Sequence, residues 1–370
     1  MHDEFGPEKI IEVFDKDMHG FVVIDNTALG PAKGGIRMTP SVTVEEVARL
    51  ARVMTWKNAL AELPFGGGKA GVVAGRLSRD QKFEIIRSFS RAIKPVCPSE
   101  YIAGPDMNTG EEEMAEFVKA NGSFKSATGK PAAMCAMHDR ECGIPHELGS
   151  TGFGVFHAML IAAGHAGIDI AGAAIAIEGF GNVGTSFMKN AIECGAKVVA
   201  VSDSKGCIYN RDGLGYEKLM DVKKNTGSVI NYKPAETMES SRLFELPVDI
   251  LVPAALPDSI NKNNVNNIKA KVIVEAANIP AMPEIEEILH KRGVLVVPDI
   301  IANAGGVISS YAEYMGKNPD EMFGIVKEKI RKNTKLVLDA AAKQGVKPRD
   351  AAMQTAVQRV HDAMEKRRYK

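Results

Sequence analysis

The 370-residue sequence has no surplus of either charge: 46 Lys and Arg balance 46 Asp and Glu, and no long run of like charge occurs. Proteins that grip nucleic acid or an anionic membrane surface concentrate basic residues, so neither is an expected partner, whereas a small soluble molecule is. Long apolar runs are missing as well. No stretch approaches the roughly 18 apolar residues of a membrane span, and the opening MHDEFGPEKI lacks the apolar core of a secretion signal. A cytoplasmic protein is expected. Cysteine is scarce, with five in the chain. An odd number in a chain this long makes no complete disulfide framework, so reduced thiols are expected. Cys135, His138, Cys142 and His146 lie close together, but their spacing matches no common zinc pattern and no metal is expected. Internal repeats and low-complexity segments are also absent.

What is present is 45% hydrophobic content, enough over this length for two ordinary cores. The character of the sequence changes near residue 150, which divides 1–148 from a second domain at 149–318, with helices over 319–370. In the first part, 8–14 and 20–25 read as short strands. Thr43-Val-Glu-Glu46 is a capping-box pattern opening a helix whose Val47, Leu50, Ala51 and Met54 recur at helical spacing. Lys57 shares that inward face, where a solitary ammonium is costly unless it snorkels to water or meets an anion.

The helix runs to Leu63-Pro64 and is followed by Phe65-Gly66-Gly67-Gly68-Lys69-Ala70-Gly71. The glycines read as a turn that allows close backbone approach and positions Lys69. A phosphate-binding P-loop is excluded, because Ala70 follows the lysine where Ser or Thr is needed. Two other segments, Gly30-Pro31-Ala32-Lys33-Gly34-Gly35-Ile36-Arg37 and Ala103-Gly104-Pro105-Asp106-Met107-Asn108-Thr109-Gly110, also set an ionisable residue among small ones. Three lysines and an aspartate converging on a glycine-lined cleft would hold a carboxylate and supply a base. Mutual repulsion and desolvation would lower a lysine pKa toward neutrality.

The second part opens differently. Residues 173–178 read as a buried strand, Gly179-Phe-Gly181-Asn-Val-Gly184 follows and opens a helix to about Cys194, and Lys197–Val201 is a second strand. Strand, glycines, helix and strand make a βαβ unit whose helix N-terminus can take a pyrophosphate. Asp203 stands at the end of the second strand, where a carboxylate bonds the adenosine ribose and favours NAD. Ser204 and Lys205 just beyond could equally hold a 2′-phosphate, so the lean is to NAD with dual use of NADP expected. Val248–Val252 and Val272–Glu275 read as later strands, with Ala254, Ala255 and Asn278 at the carboxyl ends where a nicotinamide riboside would lie. Pro319 begins a helical run with Met322, Ile325, Val326 and Ile330 on one face, and a last helix covers about 348–367.

Taken together, GPAKGGIR (30–37), MTWKNALAELPFGGGKAG (54–71), AGPDMNTG (103–110), STGFG (150–154), GFGNVG (179–184), VDILVPAA (248–255), EAAN (275–278) and NAGGV (303–307) resemble the glutamate/leucine/phenylalanine/valine dehydrogenase superfamily over nearly the whole chain. The resemblance implies a mixed-sheet α/β domain for substrate and oligomerisation, a Rossmann-type NAD(P) domain, C-terminal helices returning to the first domain, and a cleft that closes on substrate. It implies that Lys69 activates water, that Asp106 moves protons to and from the amino group, and that Lys57 pairs with the α-carboxylate. Thr151, Asn182, Val183 and Asn303 sit in matching motifs and would join the dinucleotide set. Glutamate dehydrogenases of this family hold the side-chain carboxylate with a lysine and a serine, here Lys33 and Ser310, where leucine dehydrogenases are apolar. Glutamate is therefore the expected substrate, and a homo-oligomer, in this family commonly a hexamer, the expected assembly. Other readings are a leucine, branched-chain or other amino-acid dehydrogenase, or a catalytically silent regulatory paralogue. The start of the chain is similar to leucine dehydrogenases, and 131–149 departs from the family pattern, with Glu147 where many members have arginine.

Overall fold

The computed structural model describes residues 2–15, 18–136 and 141–368. The predicted first strand pair forms as β1 (Lys9–Asp15) and β2 (Met18–Asn26), joined antiparallel. Alternation in β2 sends Val22 and Ile24 to one face of the sheet and Phe21 and Val23 to the other, and all four are buried. After β3 (Ala32–Lys33) and β4 (Ile36–Thr39) the chain enters α1 (Val44–Leu60), then β5 (Gly66–Val73), α2 (Arg79–Ala92), β6 (Tyr101–Ile102) and α3 (Glu111–Asn121). The strands form one mixed sheet in the order β1-β2-β5-β3-β6, with β4 also beside β5. Phe89 of α2 and Phe117 of α3 pack with Val22 and Ile24, while Val47, Ala48 and Ala51 of α1 pack with Phe21 and Val23. Each fully buried Val, Ile or Phe side chain among these contributes about 1.5–3 kcal/mol.

Thr43 caps α1 as its sequence requires, accepting from the Glu46 backbone N at 3.2 Å. The Glu46 carboxylate accepts from Arg37 Nη1 at 2.6 Å. The inward face is rotated from the expected one: Val47, Ala51, Thr55 and Asn58 are buried, whereas Leu50 and Met54 are partly exposed. The cause is β5. A Cβ on Gly67 would stand 2.0 Å from Thr55 Oγ1 and 2.3 Å from its backbone N, so the helix lies directly on the strand backbone. The glycine run predicted as a turn is thus the central strand of the sheet, and Lys69 is placed by strand register, opposite Val23 of β2.

The second sheet follows α4 (Ser150–His165) and is built from β7 (Ala174–Glu178), α5 (Asn182–Glu193), β8 (Lys197–Asp203), β9 (Gly206–Tyr209), α6 (Tyr216–Thr226), β10 (Glu236–Met238), β11 (Ile250–Pro253), β12 (Val272–Val274), α7 (Pro283–Lys291) and β13 (Leu295–Val297). Its order is β10-β9-β8-β7-β11-β12-β13, parallel from β8 to β13, with β9 and β10 antiparallel at the edge. This is the expected Rossmann-type architecture. The chain ends in α8 (Asp299–Ala302), α9 (Gly305–Tyr314), α10 (Pro319–Gln344) and α11 (Pro348–Arg368).

Two compact units result, one of residues 1–148, 307–325 and 355–370, the other of 149–306 and 326–354. The segment 319–370, expected as helices returning to the first domain, is therefore divided between the units. Among the described residues no helix is long and apolar enough to cross a membrane.

Candidate active site

Three glycine-containing segments meet in the first unit, and their glycines are required by backbone contact. A Cβ on Gly34 would lie 1.7 Å from the Gly68 carbonyl oxygen, and one on Gly35 would lie 2.5 Å from that of Pro105 and 2.8 Å from the Asp106 Cβ. The 103–110 loop is pinned to β4: Thr109 Oγ1 donates to the Ile36 carbonyl at 2.7 Å and accepts from Asp106 N at 2.9 Å, and Asn108 Nδ2 donates to the Met38 carbonyl at 3.0 Å. That framework aims the Asp106 carboxylate at Lys69 Nζ, 3.0 Å away, and at Arg37 Nε, 3.1 Å away. Burial would raise the Asp106 pKa, but the Lys69 and Arg37 charges outweigh it and hold the group below its ordinary value, as a carboxylate.

Lys33 leaves β3 on the same side and is 4% exposed. Its Nζ donates to the Ala103 carbonyl at 2.9 Å, and among the described residues no carboxylate lies within ion-pair distance of it. Burial pushes its pKa down to about 7, an effect the Glu313 charge opposes and the Lys69 and Lys130 charges reinforce. The lysine lowered toward neutrality is thus Lys33. Lys57 is buried in the last turn of α1, and Ser310 is buried in α9. A cavity of about 290 Å³ in this unit is lined by Asp106, Thr109, Glu111, Gly129, His146 and Glu147, among others.

The second unit carries the dinucleotide motif, and its glycines have separate roles. Gly179 has φ +99°, and a Cβ there would strike Ala255 at 2.7 Å; one on Gly184 would strike the Gly179 carbonyl at 2.0 Å. Gly181, at the N-cap of α5 directly before Asn182 and Val183, faces open space. A tight turn, an open approach to a helix N-terminus and close helix–strand packing together fit a pyrophosphate. Ala254 and Ala255 follow β11, where their backbone N–H groups donate to the Glu178 carbonyl at 2.7 Å and to its carboxylate at 3.2 Å. Asn303 Nδ2 donates to Asn278 Oδ1 at 2.9 Å, and Thr151 lies in the first turn of α4.

Asp203 does not have the expected freedom. Its Oδ1 accepts from Lys205 N at 2.9 Å and Ser228 Oγ at 3.1 Å, and its Oδ2 from Lys223 Nζ at 2.6 Å and Val229 N at 2.9 Å. Burial would raise its pKa, but these bonds hold it low, and with its side chain 5% exposed the carboxylate anchors the β8–β9 hairpin. Ser204 and Lys205 form the hairpin tip and are exposed.

Residues 142–368 match the family described as Glutamate/Leucine/Phenylalanine/Valine dehydrogenase, and residues 9–121 match the Glu/Leu/Phe/Val dehydrogenase dimerisation domain. The chain belongs to this family. It is an amino-acid dehydrogenase. It is 41% identical to a glutamate dehydrogenase of Aeropyrum pernix, covering 92% of this chain and 85% of that one. It is 38% identical both to an NADP-specific glutamate dehydrogenase of Saccharolobus shibatae (90% and 80%) and to an NAD-specific one of Staphylococcus aureus (88% and 79%). Among solved structures it is similar to the hetero-hexameric glutamate dehydrogenase of Thermus thermophilus, with a TM-score of 0.85 and 28% identity over 98% of this chain and 90% of that one.

The dehydrogenase also holds groups that sequence reasoning missed. Arg37, in GPAKGGIR, bridges Asp106 and Glu46. Lys130 and Glu313 form a buried pair at 2.6 Å, 183 positions apart. Glu313 also accepts from Gly129 N at 2.7 Å and Ile144 N at 3.1 Å, tying these two residues to α9 one turn beyond Ser310. Among the described residues Thr128 Oγ1 is buried with no hydrogen-bond partner, and it and Lys33 Nζ lie 3.8 and 2.5 Å from the point a Cβ on Gly104 would occupy. A local signal existed only for Lys130, a lysine beside glycine in ATGKP.

The thiol expectation needs correction. In this dehydrogenase Cys135 and Cys142 are joined by a disulfide, with Ala136 N donating to the Glu141 carbonyl at 2.8 Å and Gly143 N to that of Met134 at 2.9 Å, so antiparallel pairing of 134–136 with 141–143 brings the sulfurs together. Cys97, Cys194 and Cys207 are free. Disulfide bonding removes both sulfurs as thiolate ligands, and His138, the third member of that group, lies outside the described residues. His146 is partly buried, and burial followed by the Lys33 charge keeps its imidazole pKa below the usual value.

Proposed function

We propose that this chain catalyses the reversible oxidative deamination of L-glutamate to 2-oxoglutarate and ammonium with NAD or NADP. The observation that carries the choice of glutamate is Lys33: a buried ammonium bonded to a backbone carbonyl, with its pKa pushed to about 7. An incoming side-chain carboxylate supplies the missing counter-charge, and an apolar side chain leaves it uncompensated, so discrimination is large. The relatives named glutamate dehydrogenase support the same reading.

In this mechanism Lys33 and Ser310 hold the γ-carboxylate and Lys57 the α-carboxylate. Asp106, kept ionised by Lys69 and Arg37, accepts a proton from the substrate ammonium. The Gly179–Gly184 turn, with Thr151, Ala254, Ala255, Asn278 and Asn303, would hold the dinucleotide, which would supply the acceptor for the hydride lost from Cα. Lys69 then activates water for attack on the iminium carbon, and Asp106 at 3.0 Å relays the proton that returns to the departing nitrogen. With Asp203 engaged internally, Ser204 and Lys205 are free to take a 2′-phosphate, and both dinucleotides are used. The assembly is a cytoplasmic homo-oligomer, a hexamer, which light scattering would measure.

The test is initial rate by nicotinamide absorbance over a panel of L-amino acids with NAD and NADP. Selective glutamate turnover is expected. Preference for leucine or valine would overturn the Lys33 argument, and no turnover with any of them would point to a regulatory paralogue.

A further inference from the structure

Arg349, near the start of α11, lies outside the family motifs, yet it is the centre of a buried ion network in the second unit. Its three guanidinium nitrogens go to three different carboxylates: Nη2 to Glu275 Oε2 at 2.7 Å, Nε to Glu286 Oε1 at 2.6 Å and Nη1 to Asp299 Oδ1 at 2.9 Å. All three acids are 3% exposed or less. Three buried acids around one cation is a poor device for stability alone, because desolvation offsets most of the attraction. The arrangement makes sense by what it holds.

One of the acids, Asp299, reaches the segment that carries Asn278, and a second, Glu275, holds Asp299 by its backbone. Asp299 Oδ2 accepts from Ile279 N at 2.9 Å, while Glu275 Oε2 accepts from Asp299 N at 3.0 Å. Ile279 has φ +49°, a conformation a β-branched residue adopts only when its surroundings impose it. At the other end of α8, Asn303 Nδ2 donates to the carbonyls of Ala276 and Ala277 at 3.3 and 3.2 Å and to Asn278 Oδ1 at 2.9 Å. The four-residue α8 therefore grips 276–279 from both ends, and Arg349 fixes α8 by its first residue.

We propose that Arg349 is a positioning residue of the dinucleotide site: acting through Asp299, it holds the strained Asn278–Ile279 backbone in the conformation that presents Asn278 to the nicotinamide end of the cofactor. The proposal rests on the reading of Asn278 as a cofactor contact. Glu286, on α7, balances the charge of Arg349 and touches none of 275–279 in this network.

The test is steady-state kinetics of the full-length enzyme with Asp299→Asn, Arg349→Lys, Glu286→Gln and Asn278→Ala. Asp299→Asn keeps shape and volume but leaves one acceptor oxygen for three donors, Ile279 N, Ile300 N and Arg349 Nη1. It is expected to raise the dinucleotide KM about tenfold or more while the glutamate KM stays within about twofold. Arg349→Lys, whose single ammonium cannot span the three carboxylates as the guanidinium does, should do the same and serves if Asp299→Asn fails to fold. Glu286→Gln should leave the dinucleotide KM unchanged. Should Asn278→Ala raise that KM while Asp299→Asn and Arg349→Lys lower only the melting temperature and the active fraction, the role is structural and the proposal is overturned. An unchanged dinucleotide KM in Asn278→Ala would instead remove the reading of the site on which it rests.

Discussion

Replacing Lys33 by methionine should stabilise the protein while disabling it toward glutamate. The ammonium is fully buried, and its pKa falls from 10.5 to about 7. That gap, at about 1.36 kcal/mol per pH unit, is a penalty on the order of 5 kcal/mol for keeping the charge in the folded state. The sign follows from linkage. Above pH 10.5 the lysine is neutral folded and unfolded, and nothing is lost. As pH falls from about 10.5 to about 7 the unfolded chain takes a proton that the folded chain refuses, and stability falls; below about 7 the full penalty applies. Lys33→Met removes the ionisation, so its gain should be on the order of 5 kcal/mol at pH 6 and only about 2 kcal/mol at pH 9. Denaturant melts of both proteins at the two pH values measure this. A gain equal at both, or no gain, would refute the buried-cation argument. The same variant should lose about 10²-fold or more in kcat/KM for glutamate, because the γ-carboxylate enters a site with no charge to meet it.

Other expectations concern the chemistry, the cofactor and the cysteines. Lys69→Met and Asp106→Asn should each lower kcat by about 10²-fold or more, and either variant near the parent rate would remove that residue from the mechanism. Lys205→Ala should raise the KM for NADPH about tenfold and leave that for NADH unchanged; equal effects on both would place the lysine away from the 2′-phosphate. Thiol titration of denatured, unreduced protein should find three groups, Cys97, Cys194 and Cys207, and five would show that Cys135 and Cys142 are reduced.

The parts of the fold that were legible in the sequence are those whose signal is local. Strand, glycine turn and helix from 174 to 193 lie within twenty residues, and each glycine performs a task its spacing announces. Lys69 and Asp106 were nameable because glycine-rich segments surround them. What failed depends on distant partners. The run at 66–68 reads as a turn until α1 is laid across it, since nothing nearby says that Thr55 will stand where a Cβ would go. Asp203 looks available until Lys223, Ser228 and Val229 fold back onto it from at least 20 positions away. Lys130 and Glu313 are anonymous charges until the chain brings them together.

The backbone contacts around β5 bear on how activity is read from sequence in this family. Gly34 and Gly67 are fixed by atoms that would overlap any side chain, whether or not a substrate ever binds. A relative that had lost its chemistry and kept only its shape would still be obliged to retain them, and would still look like a dehydrogenase to any comparison weighted by glycine. The residues that such a relative is free to discard are Lys33, Lys69 and Asp106. Their fate, rather than that of the glycines beside them, separates a working enzyme from its scaffold.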